Sequence, residues 1–249
     1  MNQIDQLIEN GAQYFTPART VEIPGGESRT ITFSGLSSRR YGVNRFIVAG
    51  TSMTKILATA KFNNGKDTKF ENIQLAAIRN LFLNRSLRGA FTIDDSTEMY
   101  LTLTNTDSQA HTVNVQLVGY DDAHLQHKQE EYQNRGLPFP NPEFVFVSKE
   151  VAAGATAQRI SVALPAYPLR LYRISVASDA DNQLLMSFRQ DQVRIKPEVF
   201  VSQINDEFQN MDIILPQNLQ ANVPFDLIVT NLDSANAHRF SFLAETYKI

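Results

Sequence analysis

Two observations predict an all-β chain, built as two tandem jelly-roll β-sandwiches from an internal duplication, with short helices in a connector and in the loops. The first is a near-repeat. Thr104-Asn105-Thr106-Asp107-Ser108-Gln109-Ala110-His111 is answered by Thr230-Asn231-Leu232-Asp233-Ser234-Ala235-Asn236-Ala237-His238, with one residue inserted. The second is the alternation that flanks it. Met99, Leu101 and Leu103 match Phe225, Leu227 and Val229 before the loop, and Val113, Val115 and Leu117 match Phe240, Phe242 and Ala244 after it. A period of two places alternate side chains on one face of a sheet. A one-residue slip would turn each apolar set outward, so the two copies hold the same register.

The match extends in order through both halves. Ile23-Pro24-Gly25-Gly26 answers Val151-Ala152-Ala153-Gly154, and Ile31 and Phe33 answer Ile160 and Val162. Arg45-Phe46-Ile47-Val48-Ala49 answers Arg173-Ile174-Ser175-Val176-Ala177, and Ile56, Ala58 and Ala60 answer Leu184, Met186 and Phe188. Alternation in one strand pair arises by chance, but five matched strands in order together with the shared loop indicate duplication.

Composition bounds the class. At 249 residues the chain has room for one large domain or two ordinary ones, and the repeat favours two. Hydrophobic content of 43% with 20% charged residues is that of a packed globular protein. A net charge of −3 gives no electrostatic reason to expect nucleic-acid binding across the surface. Cysteine is absent, which excludes a disulfide framework and a thiolate metal site. No apolar run approaches the roughly 18 residues of a membrane span and no signal-peptide pattern opens the sequence. A soluble product that starts folding in a cytoplasm is the expectation.

Taken in order, residues 1–18 form an N-terminal arm. Ile4, Leu7 and Ile8 have helical spacing, and Tyr14, Phe15 and Pro17 lead into the first strand. Such a segment docks on its own domain, or alternatively on a neighbouring subunit or a membrane surface. The first jelly roll occupies 19–120, with strands expected at 19–23, 28–34, 43–50, 55–62, 90–93, 98–104 and 111–119 and a turn at Asn64-Gly65. Ile73, Leu75, Ala76, Ile78, Leu81 and Phe82 have helical spacing and predict a helix packed across one end of the sandwich. The loop carrying Arg85, Arg88 and Gly89 reads as a solvated segment, with a local basic patch as the other reading. Residues 121–142 form the connector, helix-prone from Asp121 to Arg135 and then stiffened by Pro138, Pro140 and Pro142. The second jelly roll occupies 143–249, with strands expected at 144–149, 157–164, 169–177, 183–189, 198–202, 211–215, 224–230 and 238–247, and a shorter equivalent of the helix at Val199 to Phe208.

A search for chemistry returns no catalytic, cofactor-binding or metal-binding residues. The four histidines are His111, His124, His127 and His238. His111 and His238 occupy equivalent positions in separate domains, and His124 and His127 share a helical face without a third ligand, so a polar surface role is expected for all four. Asp94-Asp95 and Asp121-Asp122 sit at strand ends, where aspartate bonds its own backbone. Asp179-Ala180-Asp181-Asn182 opens like a calcium loop but lacks the glycine and the closing glutamate, so it reads as a hairpin turn. Gly65-Lys66 lacks the rest of a phosphate loop, and Asn84-Arg85-Ser86 fits a glycosylation acceptor. The repeated Thr-Asn-x-Asp-Ser stretch reads as a self-capping turn rather than a binding motif.

Two consecutive jelly rolls, a connector and a short leading arm resemble the double jelly-roll major capsid proteins of the tectivirus–adenovirus lineage of icosahedral viruses, in a small bacteriophage-type form. The resemblance is architectural and covers nearly the whole chain. It has no short diagnostic motif, so no residue role is carried over. It implies a non-enzymatic structural protein of the virion. Such a protein forms homotrimers that serve as pseudo-hexagonal capsomers, with assembly in the host cytoplasm. The implied partners are the chain itself and neighbouring capsomers, minor capsid or vertex proteins, and an internal membrane through the N-terminal arm; no sequence-specific nucleic acid is implied. The alternative reading is a tandem carbohydrate- or receptor-binding module of the spike or lectin type. Matched loop aromatics would mark that reading, and Tyr41 against Tyr167 is the one near candidate.

Overall fold

The computed structural model describes residues 13–34, 40–62, 65–83, 85–94, 96–190, 193–208 and 217–249. The first half carries β1 (Gln13–Phe15), β2 (Arg19–Ile23), β3 (Ser28–Phe33), β4 (Tyr41–Gly50), β5 (Ile56–Phe62), β6 (Asp67–Gln74), β7 (Phe91–Ile93), β8 (Met99–Asn105) and β9 (His111–Tyr120), with helix α1 (Leu75–Phe82) between β6 and β7. Helix α2 (Asp122–Asn134) leads into the second half. There the strands are β10 (Pro142–Val151), β11 (Gln158–Val162), β12 (Leu169–Ser178), β13 (Leu184–Gln190), β14 (Val193–Phe200), β15 (Gln217–Leu219), β16 (Phe225–Asn231) and β17 (His238–Lys248). Helix α3 (Val201–Phe208) lies between β14 and β15.

Every described strand pair is antiparallel, and the pairs build four sheets. In the first half β9 lies between β4 and the pair β1 and β2, β7 flanks β4, and a second sheet runs β3-β8-β5-β6. In the second half the orders are β10-β17-β12-β15 and β11-β16-β13-β14. The architecture is all-β and of the jelly-roll type. Moving eight strands along the chain, from β2 to β10 and so on to β17, converts one pair of orders into the other. Even the exception conforms: β1 and β2 lie end to end along β9, where the single strand β10 runs the whole length of β17. Pro17, which has no N–H to donate, sits at the break.

Alternation places the core. In β8 the residues Met99, Leu101 and Leu103 are buried between partly exposed neighbours, as the period of two requires. Each half has its own apolar cluster, one centred on Phe46, Phe62, Phe70, Phe82 and Phe91, the other on Phe188, Phe225, Phe240 and Phe242. The first cluster also takes in Ala177 and Leu243 of the second half, with Phe144 and Phe146 packed against it.

The structure departs from the expected elements in three places. An eighth strand stands in the first sandwich: β6 follows the Gly65 turn and takes in Ile73, expected in the helix. Its sequence, Asp67-Thr68-Lys69-Phe70-Glu71-Asn72-Ile73-Gln74, alternates poorly because it is an edge strand with two register shifts against β5 and a left-handed residue at Asn72. The strand expected at 198–202 is the end of β14, and Val201 already begins α3. The strand expected at 211–215 and the helical spacing at residues 4–8 lie outside the described residues, while 13–15 of the expected arm form β1.

Candidate assembly interface

Helix α1 is amphipathic by sequence, but its apolar stripe is too wide for one partner. Leu75, Ala77, Ile78, Leu81 and Phe82 are all buried, because α1 is clamped between β4 of its own half and β12 and β17 of the other. Strand β6 packs beside it against β10. The seam between the halves is therefore asymmetric: the β6–α1 edge of the first half is seated on the outer face of the sheet β10-β17-β12-β15. Phe144 reaches from β10 toward Phe70, Phe82 and Phe91, with ring centroids at 5.8, 6.4 and 5.5 Å. The Gln74 amide donates to Ser241 Oγ at 2.8 Å, and the Ser175 hydroxyl donates to the Ala77 carbonyl at 2.8 Å. This double cover explains why β17 is buried almost throughout rather than at alternate positions.

A polar corner closes the seam. Arg173 and Glu245 form an ion pair with side chains 8% and 0% exposed. The remaining Arg173 donors reach the carbonyls of Ser86 (3.0 Å) and Leu81 (3.4 Å). Glu245 also accepts from the Arg88 amide (3.2 Å) and from the Tyr247 hydroxyl. The Gly89 amide donates to that same hydroxyl (3.1 Å), and the Arg88 guanidinium stacks 4.4 Å from the centre of Tyr172. Burial first, and then the adjacent Glu245 carboxylate, push the Tyr247 phenol well above its ordinary value, so it remains a donor. The 85–89 loop is thus docked rather than solvated. Gly89 is required there, since a Cβ would stand 1.8 Å from the Pro140 carbonyl oxygen.

The two halves use their equivalent faces differently. Ser175, Ala177, Ser241 and Leu243 point outward from the second sheet and are buried under α1 and β6. Their counterparts on the first sheet are Ile47, Ala49, Asn114 and Gln116, of which the first three are exposed and the last half-buried. Ile47 is 36% exposed where Ser175 is 2%. Helix α2 covers only one end of the first face, near β4 and β9, through Leu125. Helix α3 packs on β12, β13 and β14 of its own half.

The repeated loop is a structural turn, reproduced atom for atom. The Asn105 amide donates to the carbonyls of Ile23, Pro24 and Gln109 while its oxygen accepts from the Asp107 N–H. Asn231 does the same with Val151, Ala152, Asn236 and Asp233. Both asparagines are buried, so the local chain is held by side-chain bonds that water cannot replace. Gly26 and Gly154 adopt φ of +73° and +63° and donate to the Asp107 and Asp233 carbonyls.

His111 and His238 belong to these turns, each with Nε2 at 2.9 Å from its aspartate, Asp107 or Asp233. They are therefore largely buried, not surface groups as expected. The His111 contact holds the Asp107 carboxyl below its usual range. Asp233 is held well below it by the Asn236 side chain first, then by the Ala235 N–H and by His238. His124 bonds the helix-capping Asp121 at 2.8 Å, and His127 lies beside Glu131 at 3.3 Å. Asp179 accepts from the Arg239 N–H, lies 3.4 Å from His238 Nδ1 and pairs across the seam with Lys55 at 3.4 Å; Asp181 accepts from the Ser178 N–H. Among the described residues no cluster of three His, Asp or Glu side chains could hold a metal ion. Tyr41 is 5% exposed with its hydroxyl donating to Ser34, and the Tyr167 hydroxyl donates to Glu143 under the Lys248 ammonium. Burial and that carboxylate push the Tyr167 phenol up to about 12. A matched pair of exposed aromatic platforms is not formed by these two.

No family model matches the sequence and no curated protein is similar to it. Solved structures are. The crystal structure of the STIV MCP superposes with a TM-score of 0.51 at 9% identity, covering 95% of this chain and 97% of that one. The atomic structure of Sulfolobus Turreted Icosahedral Virus gives 0.51 at 9% identity over 96% and 91%. The major capsid protein P2 of Bacteriophage PM2 gives 0.43 at 9% identity over 93% and 97%. The chain therefore shares the fold of the STIV MCP, at an identity too low for any residue to be carried across.

Proposed function

We propose that this chain is the major capsid protein of an icosahedral virus, two tandem jelly rolls from an internal duplication that assemble as a homotrimer into a pseudo-hexagonal capsomer. The observation that carries this reading is the asymmetric seam. One half presents an edge made of β6 and α1, the other a sheet face that receives it, and both halves have the same strand order. A single chain uses one edge and one face, which leaves the α3 edge and the β2-β9-β4-β7 face for other copies. A head-to-tail contact of this type either closes into a ring or runs on as a filament. Three chains present six similar units, and six units close as a hexagon that tiles a shell. The end-to-end likeness to the STIV MCP supports the same reading.

A structural rather than catalytic role accords with the buried polar groups. Arg173, Glu245, Asn105 and Asn231 are all committed to holding chain segments together. The test is the mass of the purified 28.0 kDa chain in solution by light scattering across concentration and salt. A stable species of three chains, about 84 kDa, or larger closed particles, is the expected result. A strict monomer at high concentration would overturn the trimer.

A further inference from the structure

We infer that the outer face of the sheet β2-β9-β4-β7, centred on Ile47, is the seat for the α3 helix of a second copy, with Gln203 opposite Ile47. This rests on the trimer reading and deepens it by naming the surfaces. The seam supplies the template. Within the chain Ala77 of α1 lies against Ser175 of β12, both buried, at 0% and 2% exposure, and joined by a 2.8 Å hydrogen bond. Helices α1 and α3 are both eight residues long and align from end to end, with Leu75 on Val201, Ile78 on Ile204 and Phe82 on Phe208. The counterpart of Ala77 is then Gln203, and the counterpart of Ser175 is Ile47. Both counterparts are exposed, whereas Val201 and Ile204, the positions that α3 turns to its own core, are buried like those of α1.

Arg45 adds a second observation on the accepting side. It occupies the place of Arg173, opposite Val118 where Arg173 faces Glu245. Its Nε is buried with no hydrogen-bond partner, although a buried N–H costs free energy until one is found. Arg173 gives its Nε to Glu245 and its two Nη groups to backbone carbonyls at the end of α1 and just beyond it. Val118 offers Arg45 no such side-chain acceptor, and the carbonyls that end the α3 of a neighbouring copy would stand beside the Arg45 guanidinium as those of α1 stand beside Arg173. The two contacts differ in chemistry. Ser241 and Leu243 at the seam become Asn114 and Gln116 on the free face, and Phe146 and Ser148 of β10 give way to exposed Ala18 and Thr20 at the start of β2. The contact between copies is accordingly the more polar of the two. That suits units that fold first and associate afterwards.

The chain has no cysteine, so paired thiols can be placed without background. The experiment introduces Ile47→Cys with Gln203→Cys, treats the protein with a short bis-maleimide and resolves it on a denaturing gel. Each single variant serves as control. Ile47→Arg is measured in parallel by light scattering and by circular dichroism melting. The expected result is cross-linked dimer and trimer from the double variant alone, together with loss of the trimer in Ile47→Arg at an unchanged melting temperature. If the unmodified chain is a trimer, yet the double variant does not cross-link between copies and Ile47→Arg stays trimeric, this face is not the seat, and the trimer reading stands. If the unmodified chain never trimerises, both fall.

Discussion

Replacing Glu245 with leucine tests whether the two halves are locked together or merely adjacent. Its carboxylate is fully buried and satisfies three donors, Arg173 Nε, the Arg88 amide and the Tyr247 hydroxyl. Glu245→Leu leaves the Arg173 guanidinium in the seam with carbonyl partners but no counter-charge. Removing one member of a buried pair costs about 3–5 kcal/mol, far more than an exposed pair returns. For a chain of this length each kcal/mol moves the melting temperature by about 2–4 °C, so the loss is roughly 6–20 °C. The companion variant Arg173→Leu with Glu245→Leu removes both charges, and it recovers a large part of that loss because no uncompensated charge remains. Thermal melts followed by far-ultraviolet circular dichroism and by tyrosine fluorescence measure all four members of the cycle. A single variant within about 1 kcal/mol of the parent, or a double variant as unstable as the two singles added together, would refute the account of the seam.

The turn asparagines give a paired prediction. Asn105→Asp and Asn231→Asp keep the shape but replace the donor that faces three carbonyl oxygens with a carboxylate oxygen, and each is expected to cost several kcal/mol, on the order of 1–3 per broken buried contact. Equal losses in urea melts mark equivalent turns, and a loss confined to one half would contradict the equivalence. Acid sensitivity follows from the same turns. The folded-state values of Asp107 and Asp233 are depressed, so their contribution is fully present above the unfolded value of about 3.9 and is lost as pH falls through the folded value. The stability gap between the parent and Asp233→Asn is therefore constant above about pH 5 and narrows below about pH 4. A gap that persists unchanged to pH 2 would show that the carboxylate charge is not what Asp233 contributes.

The sandwich was legible in the sequence wherever one face of a strand is wet. β8 alternates cleanly and β16 does so from Leu227 onward, and the buried Asn105 and Asn231 turns recur almost letter for letter. Legibility failed where a strand serves two cores or none. β17 is buried on both faces, so Leu243 and Glu245 fill positions that read as outward. β6 is a bulged edge whose pairing is carried by backbone rather than by an apolar stripe. The docking of Arg88 and Gly89 depends on Glu245 and Tyr247, some 157 residues away, and no local pattern encodes such a contact. One trace was present: Gln116 and Val118 of the first half are answered by Leu243 and Glu245 in the second. The halves differ there because only one of the two faces is covered within the chain.

In the proposed capsomer six similar sandwiches form one closed ring from three chains. Electron-microscope class averages of the purified oligomer, viewed down its axis, test this. A three-fold particle with a six-lobed, near-hexagonal outline is expected. A two-fold particle, an open filament, or single bilobed chains at high concentration would rule the ring out.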